Sequence, residues 1–304
     1  MVMFLQQLTN GLIIGSMYAL IALGYTMVYG ILQLINFAHG EVFMIGSYVG
    51  LAVLSYAASS GLSQTLPLAL ILLLTFLIAM ASCALLGVAI ERLAYRPLRH
   101  SSRLSLLITA LGISIALQNI VMLTLGARDK PYPSDFFPRG EWVIAGVHIQ
   151  YIQVFILAMA LVLMTGLTLL VRQTRLGKAM RATAQDMEAA GLMGINPHLI
   201  IMVTFAIGSA LGAAAGVLFG LYYGITNFHI GFQAGMKAFT AAVLGGIGNM
   251  AGAMLGGLLL GVLESLCAGY LSSQWKDVFA FAILILVLVF RPAGLLGEKV
   301  PEKV

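Results

Sequence analysis

Charged residues are scarce in this sequence: Asp, Glu, Lys and Arg together make up only 9% of its 304 residues. Soluble domains contain roughly 25%, so the composition excludes a water-soluble globular protein. Hydrophobic residues reach 61%, and about 20 residues per membrane crossing leave room for about eight to ten helical elements. We therefore predict an all-α integral membrane protein with about eight transmembrane helices plus short broken or re-entrant helices. All of them are expected in one transmembrane domain over residues 1–304.

Several chemical signatures are also missing. The two cysteines, Cys83 and Cys267, lie in apolar runs, so neither a disulfide framework nor a metal site is predicted. The phosphate-binding pattern G-x-x-x-x-G-K-[ST] is absent, so ATP hydrolysis by this chain is not expected. No pairing of a nucleophile with a base stands out, which argues against an enzyme with catalytic residues or a cofactor of its own. Residues 1–8 lack Lys and Arg, and thus the charged start of a cleaved signal peptide.

The basic residues indicate the orientation in the membrane. The net charge of +5 resides in loops between apolar runs, so it does not indicate nucleic-acid binding. Cytoplasmic loops are enriched in Lys and Arg, and eleven of the 16 basic residues lie in three segments assigned to that side: Arg92, Arg96, Arg99, Arg103, Arg172, Arg175, Lys178, Arg181, Arg291, Lys299 and Lys303. The other five are assigned to external or interfacial segments: Arg128, Lys130, Arg139, Lys237 and Lys276. Charge does not determine the side of the N-terminus.

Six polar residues interrupt or border the apolar runs: Asn36, His39, Glu41, Asn119, Asn249 and Glu264. Such groups are costly at membrane depth and usually face a bundle interior or a water-filled path. They are therefore candidates to line or shape a translocation path. For the two acids, bracing of helices or lining of a cavity is favoured over proton loading, which remains an alternative.

Two short segments indicate an internal repeat. Asn36-Phe-Ala-His-Gly40 and Asn249-Met-Ala-Gly252 each end a short Gly-bearing apolar segment and begin a full apolar run. The stretch 239–250 is too short to span a bilayer as a straight helix. Paired broken helices in two halves indicate a translocation path at the repeat interface. We therefore predict two internal repeats, either parallel or inverted.

The polar stretch 172–198 separates two membrane-length runs, and its second half is predicted to form a short cytoplasmic helix. Thr183 and Asp186 fit a capping box at the start of that helix. Gly191 and Gly194 are candidates to end it, and Asn196-Pro197 then starts the next helix. A small helix of this kind is suited to docking into a groove of a soluble partner.

Four stretches together carry a family resemblance. The segment Glu188-Ala189-Ala190 followed by Gly194 is similar to the EAA-x-x-x-G loop of ABC importer permeases. The motifs at 34–41 (LINFAHGE), 181–188 (RATAQDME) and 244–257 (LGGIGNMAGAMLGG) resemble the permeases of high-affinity branched-chain amino acid ABC importers. The resemblance extends over nearly the whole chain in order and length.

The resemblance implies a permease subunit of the bacterial inner membrane. Its partners would be a second, similar permease, two ATPase subunits that hold ATP and Mg, and a periplasmic binding protein. Contact with the ATPases is assigned to the short helix through Gln185, Asp186, Glu188, Ala189, Ala190, Gly191 and Gly194. Relatives of the family import urea and short amides, so the substrate is less narrowly defined than the class.

Two other functions remain open at this point. A passive channel of the aquaporin kind is favoured by two N-x-A elements, but both lack the Pro of an N-P-A box, and a pore has no need of the 172–198 loop. A proton-coupled carrier would use Glu41 or Glu264.

Overall fold

The computed structural model describes residues 1–99, 101–137, 140–144 and 146–297, and this part of the chain is mostly helical. The basic residues Arg139, Lys299 and Lys303 lie outside the described residues. The α-helices within the described ranges are α1 (Val2–Leu32), α2 (His39–Ser59), α3 (Leu62–Thr65), α4 (Leu68–Ile90), α5 (Arg103–Leu125), α6 (Tyr151–Gln173), α7 (Arg175–Gln185), α8 (Met187–Leu192), α9 (Pro197–Tyr223), α10 (Ile230–Gly245), α11 (Met250–Tyr270) and α12 (Lys276–Phe290).

Eight of the described helical segments are long and apolar enough to cross a membrane: Val2–Leu32, His39–Ser59, Leu68–Tyr95, Leu104–Leu125, Tyr151–Gln173, Pro197–Tyr223, Met250–Tyr270 and Ser273–Phe290. The prediction of an all-α membrane protein with about eight spans is confirmed. The first span begins earlier than its apolar run, because α1 continues over the uncharged polar residues at its start.

Helix α1 lies at the centre of the bundle and packs against α6, α9, α10 and α11, while α9 packs against α2 and α4. Small residues make this close packing possible. A Cβ added at Gly261 of α11 would collide with the Cα atom of Gly15 in α1. In lipid, such close backbone contact replaces the hydrophobic effect as the main source of helix association. Helices α5 and α12 lie at the periphery, with most of their side chains exposed.

Short strands lie on the side of the bundle that the loop charges predict to be external: β1 (Lys130–Pro131), β2 (Glu141–Ile144), β3 (Val147–Gln150) and β4 (Ile225–Thr226). Strand β1 pairs with β4, and β2 pairs with β3, both antiparallel. Tyr132 anchors the first pair, since its hydroxyl donates to the Ser47 carbonyl at 2.5 Å. Burial raises the pKa of Tyr132 well above its usual value, so the phenol remains a donor.

The N-terminus lies on the same side of the bundle as these strands. Gln6 exchanges two hydrogen bonds with His148 of β3: its Nε2 donates to the His148 carbonyl at 3.0 Å, and the His148 amide donates to its Oε1 at 2.9 Å. Eight spans would then bring the C-terminus out as well. The short helix α10 supplies a ninth pass, because it runs from the external turn at Asn227 to a loop that bonds with the tail through Asn249 and Leu296.

Helix α10 also corrects a predicted boundary. The sequence interpretation assigned Lys237 to an external or interfacial segment, whereas α10 begins before it, at Ile230, and buries Lys237. The reason is an ion pair, since Glu264 compensates the buried ammonium group. At 1.5 Å per residue, α10 is only about 24 Å long, shorter than a bilayer core of about 30 Å. The internal repeat stays a prediction.

Candidate functional site

The predicted cytoplasmic helix is present as α8, set off from α7 by a single residue. Asp186 adopts an extended conformation and caps α8, since its Oδ1 accepts from the Glu188 and Ala189 amides, both at 2.9 Å. The predicted capping box is therefore wrong. Thr183 lies inside α7 and its hydroxyl donates to the Ala179 carbonyl at 2.9 Å, because the basic helix continues two residues past Thr183.

Of the two glycines that were predicted to end α8, only one does so. Gly194 has a φ of +83°, the left-handed conformation that ends many helices. Gly191 instead lies within α8 and does not end it. Asn196 then caps α9 by accepting from the His198 and Leu199 amides, and Pro197 takes the first helical position, as predicted.

Most of the residues assigned to ATPase contact are exposed on α8 and its flanks: Gln185, Asp186, Glu188, Ala189, Gly191 and Gly194. Ala190 is the exception, with 4% exposure, so it faces the body of the protein. The sequence interpretation missed two residues at the end of α8: Leu192 and Met193 are 90% and 82% exposed. Their signal was a pair of large apolar residues inside a polar loop, and exposed apolar clusters mark interaction sites.

The inner surface of α8 adjoins a second structural feature. Met187 lines a cavity of about 270 Å³ together with Tyr95 and Arg99. The Arg99 guanidinium lies 2.7 Å from Glu91 and also contacts the ring of His198 at the start of α9. Burial lowers the pKa of Arg99, and Glu91 counteracts that change. The loop 91–99 thus bridges the inner ends of α4 and α9 beside α8.

Three of the proposed path residues are enclosed within the bundle. Asn36, His39 and Glu41 are 3%, 1% and 0% exposed. Asn36 Oδ1 accepts from the Tyr95 hydroxyl at 3.0 Å, and the His39 ring packs at 4.9 Å from the Tyr25 ring. Glu41 Oε1 accepts from the Ser114 hydroxyl at 3.2 Å. These contacts connect helices.

The two other asparagines have local roles in the structure. Asn119 is exposed on α5 and its side chain donates to the Ile115 carbonyl of the same helix at 2.7 Å. Asn249 caps α11 by accepting from the Gly252 amide at 3.1 Å. Its Nδ2 donates to the Leu296 carbonyl at 2.8 Å, which fixes the C-terminal tail against the inner loop.

Glu264 lines a cavity together with Tyr18 of α1, Tyr223 of α9 and Lys237 of α10. It lies in α11 with 5% exposure, and its Oε1 is 2.7 Å from the Lys237 ammonium. The Tyr18 hydroxyl donates to its Oε2 at 2.9 Å. The structure thus places Glu264 at a cavity and the remaining path candidates at buried or peripheral positions. Among the described residues, no group of three His, Cys, Asp or Glu side chains is placed to bind a metal ion.

Comparisons with known proteins agree with this architecture. The profile of a family described as branched-chain amino acid transport system, permease component, matches residues 7–288. The permease protein BraD of a Pseudomonas aeruginosa high-affinity branched-chain amino acid transport system is 52% identical over 304 residues, covering 99% of this chain and 98% of that protein. The corresponding LivH permeases of Salmonella typhimurium and Escherichia coli K12 are each 50% identical over 306 residues, with the same two coverages.

Proposed function

We propose, since the chain belongs to the family of branched-chain amino acid transport permease components, that it is the membrane subunit of an ATP-binding-cassette importer for branched-chain, apolar amino acids. The observation that carries this proposal is the likeness at 50–52% identity over almost the full length of curated permeases. Eight apolar spans in the described part of the chain supply the multi-pass membrane protein that the role requires. The chain itself then needs no catalytic residue and no cofactor.

The proposed complex contains a second homologous permease, two ATPase subunits and a periplasmic binding protein, assembled in the bacterial inner membrane. ATP and Mg bind to the ATPase subunits. The binding protein releases the amino acid at the external side, next to β2 and β3. Closure of the ATPases is transmitted through residues 185–194, where Glu188 and the Leu192-Met193 pair face the cytoplasm.

The architecture around α8 supports this coupling role. Helix α8 is short, capped at both ends and exposed on one surface, as expected of a helix that docks into a groove. Its opposite surface contains Met187 and Ala190, next to the loop that holds Arg99 and Tyr95. A displacement of α8 therefore reaches the inner ends of α4 and α9, and a path for the amino acid opens and closes between the two permeases.

The family match does not support the alternatives. A passive aquaporin-like channel and a proton-coupled carrier both require transport without an ATPase. Import of urea or short amides would place the chain with relatives other than those it matches at 50–52% identity.

Reconstitution tests the proposal directly. Vesicles that contain the chain, a second permease and the two ATPases should take up radiolabelled L-leucine when the binding protein and internal ATP are present. Vesicles with the same lipids and the chain alone serve as the control. Uptake by the chain alone at the rate of the full complex would contradict the proposal, as would ATP-driven uptake of urea in place of leucine.

A further inference from the structure

A cavity of about 130 Å³ lies between the outer halves of α1, α9, α10 and α11. Tyr18, Phe219, Tyr223 and Ile230 give it apolar walls, and Lys237, Glu264 and Lys276 supply its charged groups. At 1.5 Å per residue, Glu264 lies about 20 Å from the inner end of α11 and about 9 Å from its outer end. The cavity is therefore in the outer part of the membrane.

The three charged groups that line this cavity, together with the half-exposed Asp277 beside Lys237, form a compact and neutral set. Lys237 Nζ lies 2.7 Å from Glu264 Oε1 and 2.7 Å from Asp277 Oδ1. Lys276 Nζ lies 3.9 Å from the same Glu264 oxygen. Two ammonium groups thus face two carboxylates, and the side chains of Lys237 and Glu264 are only 10% and 5% exposed. Charges of this kind at membrane depth are costly and mark substrate or ion pathways.

We propose that this cavity is a binding site for the zwitterionic form of an apolar α-amino acid. The inference rests on the proposed function, and it adds the residues that bind the charged groups of the substrate. The α-carboxylate bonds to Lys237 and Lys276, and the α-ammonium group bonds to Glu264 and Asp277. The apolar side chain packs between the aromatic walls.

The charge balance explains why a zwitterion suits the site. A single ion entering the cavity would leave an uncompensated charge beside the buried pair of Lys237 and Glu264, which is unfavourable. A zwitterion brings one charge of each sign and exchanges ion pairs with the protein, so the total remains zero. Each new contact is a charge-assisted hydrogen bond, the stronger class in proteins.

The surroundings allow entry from one side. Tyr223 lines the cavity and also a wider external space of about 450 Å³ beside Gln6, Asn10 and His148. Toward the inner side, the rings of Phe43 and Phe219 meet edge to face at 5.4 Å. The space between Tyr18 and these rings is only about 10 Å³, too small for a side chain. The site is thus accessible from outside and closed below by the two phenylalanines.

A purely structural role for the cluster makes a different prediction. If Lys237 and Glu264 only connect α10 with α11, their loss lowers stability and no solute with a particular charge pattern protects the cavity. The buried pair of Arg99 and Glu91 at the inner side, with a separation of 2.7 Å, is a matched control for removal of an ion pair far from this cavity.

The test uses cysteine labelling in right-side-out membrane vesicles from cells that produce the chain with its partner subunits. Gln233 lines the cavity and is exposed, so Gln233→Cys should react with an externally added, impermeant thiosulfonate. The native Cys83 and Cys267 are buried. L-Leucine should slow the reaction at this position, whereas 4-methylpentanoate and isopentylamine, which lack one charge each, should not. Gln274→Cys, exposed outside the cavity, should react without protection.

Substitutions of the charged residues identify the site. Glu264→Gln should raise the leucine concentration for half-protection at least ~tenfold, as expected for a lost charge-assisted bond. Lys276→Gln, at the more exposed edge of the cavity, should raise the leucine concentration for half-protection at most ~fivefold. Glu91→Gln should leave this concentration unchanged. Equal protection by the two singly charged compounds, or no protection by leucine, overturns the site. ATP-driven leucine uptake in the same vesicles separates the outcomes, because uptake without protection refutes the site alone, and no uptake refutes the proposed function.

Discussion

The Tyr95 hydroxyl donates a hydrogen bond of 3.0 Å to Asn36 Oδ1, and the two side chains are both 3% exposed. Asn36 belongs to the break between α1 and α2, whereas Tyr95 ends a π-helical turn over Glu91–Tyr95, in which the Arg96 amide bonds to the Glu91 carbonyl. The Tyr95 ring also packs at 5.1 Å from Phe205 of α9. This hydrogen bond thus connects the break between α1 and α2 to the inner ends of α4 and α9, next to α8.

Removal of this hydroxyl should weaken both fold and coupling. Tyr95→Phe leaves the buried Asn36 oxygen without its donor, which costs about 1–3 kcal/mol of unfolding free energy. Leucine-stimulated ATP hydrolysis in the assembled transporter should fall several-fold, because the break no longer follows the motion of α8. Thermal unfolding and ATPase assays measure the two effects. Tyr56→Phe, at an exposed position of α2, is the matched control. Equal unfolding temperatures and equal ATPase rates for the two variants would contradict a role of the Tyr95–Asn36 bond in coupling.

The two glycines of the α8 region should respond to alanine in opposite directions. Gly194 has a positive φ, so Gly194→Ala strains the turn by about 1 kcal/mol or more. Gly191 is helical with open space around it, so Gly191→Ala should stabilise α8 by about 0.5–1 kcal/mol. We expect co-purification of the ATPases to decrease in the first variant and to persist in the second. A loss in both would show that side-chain bulk, rather than backbone conformation, matters here.

The exposed apolar pair should contribute directly to ATPase docking. Leu192→Asn combined with Met193→Gln removes apolar surface that an interface would bury, at about 25 cal/mol per Å². The folded chain itself loses little, because both side chains are exposed. Co-purification should drop at least ~tenfold. Leu271→Asn, 66% exposed at the outer end of α11, is the control, and a similar loss with that variant would assign the effect to handling of the membrane protein.

Much of this architecture follows from the sequence, because apolar run length and loop charge are local signals. The number of spans was predicted as about eight, and the Asn196-Pro197 helix start was correct, whereas the first span begins earlier than its apolar run. The position of Lys237 could not be predicted, since its burial depends on Glu264, 27 residues away. The same holds for the N-terminus, whose side is revealed by Gln6 and His148.

The candidate site likewise has features that local sequence predicts and features that depend on how the helices pack. The short cytoplasmic helix could be recognised because a polar stretch between two apolar runs and a glycine such as Gly194 are local signals, although the capping residue was predicted wrongly. The outward position of Leu192 and the inward position of Ala190 depend on how α8 lies against the body. Asn119 entered the path prediction as an embedded polar residue, but its bond to Ile115 satisfies it within its own helix.

Glu41 provides a test against proton coupling. The residue is 0% exposed, its Oε1 accepts from Ser114, and it does not line the cavity that contains Lys237 and Glu264. A glutamine amide has the same shape and can accept the same hydrogen bond from Ser114. Removal of a buried charge without a charged partner seldom costs stability. Glu41→Gln should therefore retain at least about half of ATP-driven leucine uptake. Vesicle uptake with the proton gradient dissipated is the second measurement. A loss of more than ~tenfold in both would restore Glu41 as a proton carrier.

The contact between α1 and α11 should be the least tolerant of added volume. A side chain at Gly261 collides with the backbone at Gly15 and Gly11, and neither helix can move away without losing the packing that holds the bundle together. Gly261→Leu should therefore yield a protease-sensitive chain with several-fold lower abundance in the membrane. Gly112→Leu on α5, where an added Cβ meets open space, adds the same atoms to a membrane helix and should leave abundance and protease resistance unchanged. If both substitutions were tolerated, the central helix pair would have to be held by contacts other than backbone proximity.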